Sequence, residues 1–151
     1  MIITFCGHSS LYNYDDLFEK IEKIIIQNIN QNDKTLFYCG GYGDFDNLCA
    51  KVCRRVKEKQ ENCEIIFITP YITESHQDKI RCLIDSGIYD STLYPSLENV
   101  PRRFAISKRN EWMINEADLI IAYVEHTFGG AYKTLEYARR KKKHIINLAD
   151  Q

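Results

Sequence analysis

Short apolar runs and helical periods alternate along the whole chain. Ile2–Cys6, Thr35–Cys39, Glu64–Thr69, Asp90–Tyr94, Asp118–Val124 and His144–Leu148 read as strands. Between the first two, Tyr14–Ile29 places Leu17, Ile21, Ile24 and Ile25 on one side of a helix. A second helix, from about Phe45 to Gln60, carries Leu48, Val52 and Val56 at intervals of four. A third, around His76–Ser86, is expected to stop at Gly87, a residue suited to a helix C-cap. Pro101 fits the first turn of a helix running to about Glu116, and Gly130–Lys143 forms the last. Unbroken runs such as Ile65-Ile-Phe-Ile68 and Leu119-Ile-Ile121 indicate strands buried on both faces. The pattern predicts an α/β, Rossmann-like three-layer sandwich: a mostly parallel sheet of about six strands with helices on both faces. The 151 residues suit a single domain over 1–151.

In such a sheet, ligands collect at the carboxyl ends of the strands, near the point where strand order reverses. Three turns are expected there. Gly7-His8-Ser9-Ser10 follows the first strand. Gly7 permits a tight turn, and His8 and Ser9 either donate to a phosphate or ribose or simply make a polar loop. The other two turns set a glycine pair between an apolar strand and a helix, as Gly40-Gly41 and Gly129-Gly130. Glycine lets a ligand approach the backbone amides, and a helix start offers unpaired N–H groups and positive dipole, which suits phosphate.

The details narrow the ligand class. No Gly-Lys-Ser/Thr follows Gly40-Gly41, so it is not a P-loop, and the missing Gly-x-Gly-x-x-Gly disfavours ordinary NAD binding. Asp44 and Asp46 either cap the following helix or accept from ribose hydroxyls. After the second pair, Thr134 and Glu136 could approach the same ligand, although a glutamate near a helix start also complements the dipole. Arg109 lies four residues before Met113 and eight before Ala117, near one helical face. An arginine there must find an anion or snorkel, and pattern alone favours a solvated head. Tyr42, Tyr71, Phe128 and Tyr132 could stack on a base, or cover the core at loop edges.

Charge and cysteine usage adjust the picture slightly. The net charge of −1 argues against general nucleic-acid binding, which usually shows as a basic excess. The runs Arg139–Lys143 and Arg54-Arg55 read as solvated helix ends, with an anionic partner as the alternative. Six cysteines without a Cys-x-x-Cys pair read as buried, reduced thiols of a cytoplasmic protein, with no metal site and no cofactor expected. The apolar stretch Met1–Cys6 is too short for a membrane span and lacks a basic lead-in, so no membrane association is expected.

The order Arg109-x-x-x-Met113-x-x-x-Ala117-Asp118, an apolar strand, then Gly129-Gly130-x-x-x-Thr134-x-Glu136 resembles the LOG family, whose members cleave nucleoside monophosphates. Gly7-His8 and Gly40-Gly41 with Asp46 are similar to the YpsA-like branch of the same SLOG (Smf/DprA–LOG) superfamily. The resemblance implies a Rossmann-like fold, a nucleotide-like small-molecule ligand, a homodimer, and Arg109 and Glu136 at the catalytic positions. With Ser9 from the reading of the first loop, the expected ligand contacts are Gly7, His8, Ser9, Gly40, Gly41, Asp46, Gly129, Gly130 and Thr134. The chain departs from the pattern in four places: Tyr132-Lys133 stands where LOG proteins have glycine before threonine, no proline precedes Gly129, Glu136 follows Thr134 by two residues rather than three, and Asp44 replaces a glycine of the YpsA-like turn. Two readings follow. The first is binding or sensing of a nucleotide or nucleotide-derived ligand. The second is hydrolysis of the N-glycosidic bond of a nucleoside 5′-monophosphate, with a carboxylate steadying charge on the ribose. The departures favour the first.

Overall fold

The structure, a computed structural model, describes residues 1–150. Its elements in chain order are β1 (Ile2–Gly7), α1 (Tyr14–Asn28), β2 (Thr35–Cys39), α2 (Gly43–Lys59), β3 (Cys63–Ile68), α3 (Glu74–Asp85) and β4 (Ser91–Leu93). There follow a 3₁₀ turn (Arg102–Phe104), α4 (Ala105–Glu116), β5 (Leu119–Tyr123), α5 (Gly129–Arg140), β6 (Ile145–Asn147) and a closing 3₁₀ turn (Leu148–Asp150). All six expected strands form. They pair in parallel in the order β4-β3-β2-β1-β5-β6.

The alternation of side chains along the strands builds two apolar layers. Ile3, Phe5, Phe37, Ile65, Leu119 and Ile121 point to one face, where Leu17, Ile21 and Ile25 of α1 and Leu48, Val52 and Val56 of α2 cover them. Ile80 of α3 joins the same layer. Cys6, Ile120 and Ala122 point the other way, against Ile114 of α4 and Leu135 and Ala138 of α5. Tyr38, Ile66 and Ile68 continue that second layer under Met113, and Trp112 stacks on Tyr38. Each fully buried Phe, Ile or Leu here contributes on the order of 1.5–3 kcal/mol. That double burial is why the strands read as unbroken apolar runs.

Two boundaries differ from expectation. Pro101 does not open the α-helix. The chain first makes the 3₁₀ turn, with the Ala105 amide donating to the Arg102 carbonyl, and α4 begins only at Ala105. The last helix ends at Arg140, and Lys142 then takes a left-handed conformation (φ 56°) that stops it short of Lys143.

Five cysteines are buried and Cys82 is exposed, all as free thiols. Burial raises the Cys6 thiol to about 12 and holds those of Cys49 and Cys53 well above their ordinary value. They behave as small apolar fillers. No helix among the described residues is long and apolar enough to cross a membrane.

Candidate functional site

Strand order reverses at β1. From there the chain runs outward through β2, β3 and β4, and later returns to place β5 on the other side of β1. Gly7, the last residue of β1, pairs with Tyr123, the last of β5. Beyond this pair the two chains part, β1 toward α1 on one face and β5 toward α5 on the other. A crevice opens between them, as at the switch point of any doubly wound sheet.

Gly7, His8, Ser9 and Ser10 form one wall of this crevice, and His126, Phe128, Gly129 and Gly130 the other, around a cavity of about 370 Å³. Gly130 also borders a cavity of about 160 Å³ with Asp46, Arg109 and Thr134, and one of about 690 Å³ between α4 and α5 with Arg103, Lys133 and Glu136. The three adjoin at Gly130 as a trough of neighbouring cavities around the N-terminus of α5.

That N-terminus is open. Phe128 is extended and Gly129 takes φ 90°, turning the chain from strand into helix. A side chain at Gly129 or Gly130 would meet nothing within 4 Å. No side chain caps α5. Among the described residues, the amides of Gly129, Gly130 and Ala131 donate to no carbonyl outside the helix. They retain the hydrogen-bonding capacity and dipole that suit an anion. Thr134 turns its hydroxyl back onto the Gly130 carbonyl (3.0 Å), and Glu136 pairs with Arg139 (2.6 Å) along the helix surface.

The other glycine pair is built differently. The Asp44 amide donates to the Ser9 carbonyl (2.9 Å) and the Phe45 amide to that of His8 (3.3 Å). Asp44 accepts from the Leu11 amide, and Asp46 from the Tyr42 amide. Gly41 sits at φ 70° with Phe67 where a Cβ would stand, 2.1 Å away, and Gly40 faces the Asp46 carboxylate and the Arg109 guanidinium. Gly7 likewise leaves room for the Phe45 ring, 2.3 Å from an added Cβ. Hence the Asp44 and Phe45 amides in the first turn of α2 are occupied by the β1–α1 loop, and the Gly40-Gly41 turn is filled by protein atoms.

Arg109 departs from its pattern-based expectation of a solvated head. It is 1% exposed. Its Nη1 donates to the carbonyls of Gly40 (2.8 Å) and Ile68 (2.7 Å), and its Nε to Asn110 (3.0 Å). The charge therefore solvates the carboxyl ends of β2 and β3, with the Tyr42 ring 5.3 Å away over the guanidinium. Burial lowers its pKa, though a guanidinium stays protonated in any protein. Beside it, burial pushes the Asp46 carboxyl up to about 6, against the opposing pull of the Tyr42 amide and the Arg109 charge.

His8 accepts the Glu125 amide on Nε2 (2.8 Å), which requires that nitrogen to be unprotonated. Burial and the neighbouring His126 lower its pKa, partly offset by Glu125. The rings of His8 and His126 lie 4.6 Å apart, and Phe128 stacks on His126 at 5.0 Å and 15°. Phe128 is 70% exposed. Glu125 also accepts from the hydroxyls of Tyr12 and Tyr123, which hold its carboxyl below the usual range. Sequence reasoning missed His126. The available signal was an imidazole in the last few positions before a glycine-led helix start.

Thus Gly7, His8, Ser9, Gly129 and Gly130 come together at one cavity, and Asp46, Arg109 and Thr134 meet Gly130 at the adjoining one. Glu136 lies in the third, and Gly40 and Gly41 line none of the three.

These features define a doubly wound α/β domain with an anion-suited crevice at its switch point. No family model matches the chain, and no curated protein matches it. Solved structures do. DNA processing protein A from Helicobacter pylori, described for its single-stranded DNA binding mode, aligns at a TM-score of 0.64 and 13% identity, over 96% of this chain and 63% of that one. DNA processing protein A (DprA) from Streptococcus pneumoniae aligns at 0.61 and 12%, over 95% of this chain and 48% of that one. The chain thus spans about half to two thirds of the length of these proteins, and the likeness is one of fold.

The H. pylori protein corrects one expectation. The net charge argues against general nucleic-acid binding, yet that protein, which shares this fold over part of its length, binds single-stranded DNA. Net charge is a sum over the surface. Phosphates respond to the few cations and amides they touch, so a value of −1 excludes nothing.

Proposed function

We propose that this chain binds a nucleotide unit at the β1–β5 switch point. The phosphate lies against the first-turn amides of α5, the ribose near His8 and Ser9, and the base on the His126–Phe128 stack. One observation carries the reading. The amides of Gly129 and Gly130 are uncapped and border the same cavity as the β1 loop, whereas the Asp44 and Phe45 amides of α2 already donate to that loop. The fold likeness to DNA processing protein A supports a place in the SLOG superfamily, and the nucleotide is then free or part of a nucleic-acid strand. Binding is favoured over N-glycosidic cleavage because Glu136 is ion-paired to Arg139 and the Nη1 of Arg109 is committed to two carbonyls.

The test is calorimetric titration with AMP, ADP-ribose and NAD, on wild type and Gly130→Asp. A carboxylate at this position repels phosphate while favouring the helix dipole by about 0.3–1 kcal/mol. Loss of binding with an unchanged or raised unfolding temperature is expected. Equal affinities in the two proteins, or silence of wild type across the panel, sink the reading.

A further inference from the structure

The trough does not end at α5. Its largest cavity runs along the α4–α5 cleft to Arg103 and Ile106, beside the 3₁₀ turn that precedes α4. Here the surface changes character. The Arg102 guanidinium lies over the Tyr71 ring at 4.8 Å, and that of Arg103 over Phe104, also at 4.8 Å. Phe104 is 46% exposed and Ile72 50%.

The charges in this region are one-sided. Of the carboxylates bordering the largest cavity, Glu111 is paired with Lys108 and Glu136 with Arg139. Arg103, Lys133 and Arg140 border the same cavity, and among the described residues they and Arg102 have no carboxylate within 4.0 Å. Flat apolar faces interleaved with unpaired guanidinium groups match a chain that alternates stacked bases with phosphates. They match a duplex poorly, because its bases are not free to stack on side chains.

We propose that the Arg102–Phe104 turn, with Tyr71 and Arg103, holds the continuation of a single-stranded nucleic acid whose one nucleotide occupies the switch-point trough. This rests on the nucleotide-binding reading above for the anchoring unit, and adds a second subsite of base-stacking and phosphate-pairing side chains. The rim of α4 then selects an oligonucleotide over a free nucleotide.

Fluorescence anisotropy with a labelled oligothymidylate of about 12 nucleotides tests this on the full chain, beside calorimetry with AMP. The variants are Arg103→Ala and the double change Arg102→Ala with Phe104→Ala, all at exposed positions, with unfolding midpoints as a check on folding. Expected are a loss of oligonucleotide affinity of roughly tenfold or more in the double variant and AMP binding equal to wild type. Each arginine removed should also lower the salt slope by about 0.7. Oligonucleotide affinity within twofold of wild type in both variants overturns the proposal. So does a duplex of the same length binding as tightly, or no oligonucleotide binding by wild type. If AMP fails to bind but oligonucleotide binding still depends on Arg102 and Phe104, the anchoring nucleotide site falls and this subsite stands. If Gly130→Asp abolishes AMP binding while the rim variants leave the oligonucleotide unaffected, the subsite alone falls.

Discussion

The turns at Gly40-Gly41 and Gly129-Gly130 both follow a buried parallel strand and both lead into a helix. Their surroundings are opposite. At the first, Phe67, Asp46 and Arg109 fill the space a ligand would need, and the helix amides donate to Ser9 and His8. At the second, nothing stands within 4 Å of an added Cβ, and the helix amides face a cavity. One glycine pair lets the protein pack against itself; the other borders open space. The difference follows from topology. α2 covers the same face as α1, so the β1–α1 loop lies over its start, while α5 begins alone across the switch point.

The comparison breaks most decisively by adding one methyl group to each turn. Gly41→Ala combines a left-handed backbone with a contact against Phe67 that no real Cβ makes, and should cost about 2–5 kcal/mol. Gly130→Ala, in open space within a helix, should be neutral or stabilise by up to about 1 kcal/mol. Urea unfolding of the two variants gives the answer, and similar midpoints would end the distinction between the turns.

Arg109→Met sharpens it next. The substitution keeps the apolar stem but leaves the Gly40 and Ile68 carbonyls without their donor, at a cost of about 2–4 kcal/mol. A midpoint close to wild type would mean that the filled turn does not depend on this bracing.

The narrowest effect is a pH dependence confined to the same turn. Asp46 titrates at about 6 in the folded protein, against an ordinary 3.8. The folded state therefore holds the proton more tightly, and between those values it carries more protons than the unfolded chain. Its contribution is present below about 3.8 and is lost as pH rises through about 6. Asp46→Asn keeps an acceptor for the Tyr42 amide and should remove this fall, flattening the stability profile of wild type over that window. A profile as steep in the variant assigns the slope to another group.

The sheet was legible in the sequence because burial on both faces leaves β-branched runs unbroken, as at Ile65–Ile68 and Leu119–Ile121, all of them buried. The 3₁₀ entry to α4 was not legible, since Pro101 suits the start of either helix type. In the site, both glycine pairs were visible, but their roles were not. What occupies the amides of α2 is a pair of backbone carbonyls in a loop distant in sequence, and carbonyls leave no trace in residue type. The same holds for Arg109, whose partners Gly40 and Ile68 contribute only main-chain oxygens. Net charge pointed away from general nucleic-acid binding because composition counts charges without recording which of them lack partners.

The thiols bear on how the molecule can be followed in solution. Cys82, on α3, is the exposed one of the six, and α3 packs on the face of the sheet opposite α4 and α5. A maleimide dye can therefore be attached to the natural chain at a single surface position, remote from the α4–α5 cleft. Titrations can then be read optically without engineering a reporter into the crevice.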